Sequence, residues 1–167
     1  MIEMIEHELV KLIAFSVMPA FEARAAIAYA IIFLDMNNIP LFIILTALSA
    51  IIGVTVYYLL TSFEKWIRKN GSYAKKIVRI IYEKYIDHLR LRTRKYVEKY
   101  GFIGLTLFIA IPLPGSGVWT GALVANIFNI EYRKAIPAIF IGAYLASTIA
   151  WALTHFGIVT YEFLITP

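Results

Sequence analysis

The sequence predicts an all-α polytopic membrane protein. Its plan is an inverted repeat of amphipathic helix, re-entrant helical hairpin and transmembrane helix. Three observations predict this. First, 60% of the 167 residues are hydrophobic and the mean hydropathy is +0.73, whereas a soluble domain is roughly 45–50% apolar. Second, the excess is segmental. Residues 39–62, 101–130 and 135–161 contain no Asp, Glu, Lys or Arg, and roughly 20 apolar residues span a bilayer as a helix. Third, one of these runs is interrupted at its centre by "IAIPLPGSGVWTG", Ile109 to Gly121.

The elements follow in order within a single membrane domain, 1–167. The N-terminus, "MIEMIEHELVK", is acidic where a secretory signal would be basic, and reads as an amphipathic helix. A first hairpin over about 18–34 opens at Pro19, and a spanning helix covers 39–62. Together these make the first repeat, 1–62. Residues 63–100 hold 12 of the 16 Lys and Arg and four acids, which places them in the cytoplasm by the positive-inside rule. Within them Ile77, Ile81, Tyr85 and Leu89 recur every fourth residue, as in a basic amphipathic helix that lies on the inner leaflet or serves as a solvated connector packed on the protein's own underside. Beside membrane helices, this basic character does not point to nucleic acid.

Residues 101–130 read as a second re-entrant hairpin, with 102–111 descending and 118–129 ascending. Proline cannot continue a helical ladder, and bent backbone at membrane depth must be buried or line water. Pro112, Pro114, Gly115 and Gly117 are therefore its tip. The last spanning helix is 135–158. If both hairpins dip and return, "EYRK" (Glu131 to Lys134) stays inside and both termini lie outside, in a cell membrane. The repeat is visible as "IPLFIILTALSAIIGVTVYY" from Ile39 and "IPAIFIGAYLASTIAWALTH" from Ile136. Each carries small residues at helical spacing: Ser49 and Gly53, then Gly142, Ala146 and Ala150. These serve internal packing or a homodimer equally well.

"FEARAAIAYA" places Glu22 and Arg24 inside an apolar stretch, and intramembrane charge is costly enough to be a functional hypothesis by default. Arg24 suits an anionic group, and Glu22 is a coupling acid able to exchange protons. The plainer reading is that the two neutralise each other at a non-helical tip. In the second hairpin, the N–H groups of Ser116, Gly117 and Val118 could receive an anion. Ser116 and Thr120 add hydroxyls there, and Trp119 a flat wall. The plainer role of Ser116 is to cap the half-helix. Asn126 reads as a polar contact between hairpins, and His155 as interfacial.

No cysteine is present, which removes disulfides and thiolate metal sites. No Ser-His-Asp set, paired-carboxylate site, metal cluster or P-loop is present either, so an enzyme, a cofactor or a metal is not expected.

"PLPGSGVWTGAL", Pro112 to Leu123, and "EARAAIA", Glu22 to Ala28, resemble the late and early motifs of the small multidrug export protein family, within the DedA/VTT membrane superfamily. Ala28 stands where that family tends to have proline. The resemblance implies two opposed re-entrant hairpins. Superfamily relatives are lipid-carrier flippases and phospholipid scramblases, although "IAIPLPGSGVW" lacks the arginines usual in a DedA-type second hairpin. The first functional reading is thus a transporter or flippase for an anionic lipid carrier, such as a polyprenyl phosphate, or for a phospholipid. The second is a proton-coupled exporter of small amphipathic compounds. The third is a non-transporting membrane interaction protein. Expected partners are membrane lipids and a small-molecule or lipid-phosphate substrate.

Overall fold

A computed structural model describes residues 2–19, 21–69, 88–111 and 116–165. The described residues form six helices and no strand. These are α1 (Ile2–Val17), α2 (Glu22–Leu34), α3 (Ile39–Lys69), α4 (His88–Ala110), α5 (Val118–Ile127) and α6 (Tyr132–Ile165). The order helix, break, short helix, turn, long helix therefore occurs twice.

The long helices α3 and α6 carry apolar stretches of 28 and 26 residues, Ile39–Trp66 and Tyr132–Gly157. At about 1.5 Å per residue each exceeds the roughly 30 Å hydrocarbon core of a bilayer. Only 28% and 33% of these stretches is buried inside the protein. Ile43, Ile44, Ile51 and Leu59 on α3, and Phe140, Ile141, Leu153 and Phe156 on α6, face outward. Water would not tolerate an apolar surface that continuous.

The first hairpin differs from the expected one. Residues 22–34 form one unbroken helix, and its antiparallel partner is the N-terminal helix α1. Pro19 falls between them, in the only stretch where the local sequence stops a helix. The Tyr29 hydroxyl donates to Glu8 Oε2 at 3.3 Å, and Phe15 packs against Phe21 and Tyr29. The amphipathic helix is thus an arm of the hairpin rather than a separate element. In the second hairpin the arms are α4 and α5. The expected tip residues Pro112, Pro114 and Gly115 lie outside the described residues. The basic segment 63–100 is not separate from the membrane elements at its ends. α3 runs on to Lys69 and α4 begins at His88, while Ile77, Ile81 and Tyr85 lie outside the described residues.

Each short helix ends on a residue in the left-handed region, Asp35 at φ 52° and Asn129 at φ 54°. These residue types visit that region most readily after glycine. The turns close with Met36 N–H to Ala30 O at 2.9 Å and Ile130 N–H to Ala125 O at 2.8 Å. Asn38 then caps α3 by accepting from Leu41 N–H at 2.9 Å.

Packing crosses between the halves. α2 lies against α6 as well as against its hairpin partner α1, and α5 lies mainly against α3. Small residues permit the close approaches. Ile109 is fully buried, and a Cβ on Gly121 or Gly142 would come within 2.5 or 2.7 Å of its side chain. A Cβ on Gly53 would lie 2.7 Å from Val118 Cβ and 2.9 Å from Ile139 Cγ2. At these glycines the small-residue stripes serve internal packing.

Candidate functional site

The two hairpins meet where α2 and α5 begin. Glu22 is the first residue of α2 and has φ 56°. That left-handed backbone takes its side chain off the helical path. Its carboxylate is 4% exposed as a residue and reaches across to α5. Glu22 Oε1 accepts a long hydrogen bond from Trp119 N–H, 3.5 Å. Trp119 is the second residue of α5, whose capping residue, Gly117, has extended backbone and no side chain to offer. Glu22 therefore does from the other half of the chain what a Ser or Asp would do locally. The helix dipole favours a negative group there.

Gly117 is required by this approach, because a Cβ built on it lands on the Glu22 carboxylate. Its N–H donates to Thr120 Oγ1 at 2.8 Å. Thr120 thus serves the α5 terminus itself.

Arg24 completes the site. Its Nη2 donates to Glu22 Oε2 at 3.0 Å and to the Ser116 carbonyl at 2.6 Å, and its Nη1 to the Ile111 carbonyl at 3.4 Å. Its side chain is 18% exposed. On a regular helix, residues two apart do not face each other; the φ of Glu22 removes that obstacle. One guanidinium thus ties the acid of the first hairpin to both described sides of the second hairpin's break. The Ser116 hydroxyl donates to the Ile111 carbonyl, so it closes the break rather than capping α5.

Trp119 is not an open wall. It packs against the apolar core, and its indole N–H donates to the Val17 carbonyl at 3.3 Å. Hairpin one is therefore held at both ends of its own break. Asn126 lies two turns along α5 from this cluster. It donates to Glu64 Oε2 of α3 at 3.4 Å, a contact with a long helix. His155 stacks on Trp151 at 5.3 Å. The Val17, Ile111 and Ser116 carbonyls escaped sequence reasoning, because backbone acceptors leave no mark in residue identity. No group of His, Cys, Asp or Glu among the described residues could hold a metal ion.

The arrangement is a charge-neutral latch. Its anion site, the α5 N-terminus, is filled by the protein's own carboxylate. Its cation has two carbonyl acceptors besides that carboxylate, and so is not dependent on it.

No curated protein and no solved structure matches the chain. The family model described as "Putative small multi-drug export protein" matches residues 22–149, from the latch acid in α2 to the middle of α6. That match and the two long apolar helices mark a membrane protein of exporter type, and the chain belongs to the small multidrug export protein family.

Proposed function

We propose that the protein exports small amphipathic compounds in exchange for protons, with Glu22 as the group they share. One observation carries the reading: the Glu22 carboxylate is the hinge pin between the hairpins, held by Arg24 on one side and by the start of α5 on the other. Export driven by an inward proton gradient requires proton and cargo to compete for one group. A proton on Glu22 removes the negative charge from α5. A cationic group on the cargo takes the place of Arg24, which keeps the carbonyls of Ser116 and Ile111. Either event loosens the same latch.

The threading that suits this reading is the inverted repeat. The α1–α2 and α4–α5 hairpins enter from opposite faces, and α3 and α6 cross. Residues 63–100 with Arg133 and Lys134 are cytoplasmic, and both termini lie outside. Broken helices meeting near the midplane are a transporter design. The family match favours an exporter over the lipid-carrier flippase of the first sequence reading. Arg24, the cation on which that reading leaned, already has three acceptors.

The test is ethidium efflux from proteoliposomes under an inward proton gradient. The wild type is expected to move the dye, and Glu22→Gln to lose the dependence on the gradient while remaining folded and monodisperse. A labelled polyprenyl phosphate is expected to cross no faster than in empty vesicles. Gradient dependence that survives Glu22→Gln, or lipid movement that needs Arg24, would overturn the proposal.

A further inference from the structure

Two hydroxyls on the long helices stand apart from the rest. Thr46 on α3 is 6% exposed and Ser147 on α6 is 1% exposed. Neither hydroxyl has a hydrogen-bond partner among the described residues. Helical hydroxyls usually donate to the carbonyl four residues back. Thr55, Thr61, Thr106, Thr148 and Thr154 all do so here, at 2.8–2.9 Å. A buried polar group without a partner is costly and calls for an explanation.

The two bracket one contact between the long helices. α3 and α6 run antiparallel, as Asn37 meets Trp151, Phe42 meets Tyr144 and Gly53 approaches Ile139. Thr46 lies one turn from the Phe42–Tyr144 contact on the side of Gly53, and Ser147 about one turn from it on the side of Asn37. Leu45, next to Thr46, belongs to one buried cluster with Ala23 and Ala26 of α2, and Trp151, one turn on from Ser147, packs against that cluster. Each hydroxyl is thus within a turn of a residue that packs with the first hairpin, on the helices most able to cross the membrane.

We infer that Thr46 and Ser147 line a hydrated path between α3 and α6, which opens when the latch releases. Its occupant is a neutral hydrogen-bonding group, because 39–62 and 135–161 carry no Asp, Glu, Lys or Arg. A hydroxyl both donates and accepts, so water and an amino, hydroxyl or amide group of the cargo are equivalent chemistry. The path rests on the exporter reading for its cargo but not for its existence.

The chain has no cysteine, so single cysteines report access directly. Thr46→Cys and Ser147→Cys are compared in proteoliposomes with Ala122→Cys and Ala125→Cys on α5, which are fully buried in the apolar core. The reagent is a small water-soluble methanethiosulfonate, and no cargo is needed. Labelling at 46 and 147 is expected to be about tenfold or more faster than at the controls, since access follows local opening. Slowing by ethidium assigns the occupant to the cargo, and no slowing assigns it to water; both keep the path. Labelling no faster than at the controls would overturn it, whatever the efflux assay gives. A second pair of variants guards the result. Thr46→Val and Ser147→Ala are expected to melt no lower than the wild type yet to slow ethidium efflux. Lower melting with efflux unchanged would mean that the hydroxyls serve only the fold.

Discussion

At the scale of the residue, the site depends on a backbone angle that residue identity does not announce. A non-glycine residue in the left-handed region costs about 1–2 kcal/mol, and Glu22 carries that cost at φ 56°. The return is a carboxylate placed off the helix, where Arg24 and the start of α5 both reach it. The charged pair in "EAR" was legible as a candidate site, because charge is rare in apolar segments. Its geometry was not legible, because the sequence marks left-handed positions with Gly or Asn and here has Glu. Gly117 is the complementary residue. Its φ of −147° suits alanine, so Gly117→Ala disturbs only what the new Cβ meets, the Glu22 carboxylate. We expect that variant to be destabilised by about 1–3 kcal/mol and to match Glu22→Gln in losing gradient-driven efflux. Thermal melting and the ethidium assay read the two effects. Wild-type behaviour in both would place the carboxylate elsewhere.

At the scale of the element, each turn after a short helix is held by an aromatic side chain of the other half's long helix. The Tyr57 hydroxyl on α3 donates to the buried Ile130 carbonyl after α5, at 2.8 Å. The Trp151 indole on α6 donates to Asn37 Oδ1 after α2, also at 2.8 Å. Tyr57→Phe keeps the ring and strands the Ile130 carbonyl. The expected loss is about 1–3 kcal/mol, seen as a lower melting temperature in detergent, against no change for Tyr58→Phe at its exposed neighbour. Long apolar helices were legible from run length alone. The first hairpin was displaced in the sequence reading because Pro19 was taken to open it, when the proline is its bend. An amphipathic pattern says which face of α1 is polar, not what the other face covers; only Phe15, Tyr29 and Leu12 in contact show that it covers α2.

At the scale of the whole molecule, the halves are interlocked. α2 rests on α6 as well as on α1, α5 rests mainly on α3, and the latch joins their beginnings. Fragments 1–69 and 88–167 are therefore expected to yield a folded, membrane-extracted complex only when produced together. Copurification of one fragment on a tag carried by the other measures this. A fragment that is monodisperse and melts cooperatively alone would count against interlocking. The order of the apolar segments was legible in run length; which helix packs on which was not, because a run of apolar residues does not say what it meets.

That packing has a consequence for ancestry. Each short helix is seated in part on the other half's long one. If a single half-length chain came first, that seat would have been supplied by a second copy, two identical chains clasping each other, before fusion wrote both into one polypeptide. Only the first half carries the charged pair, Glu22 and Arg24, and the second contributes the backbone they grip.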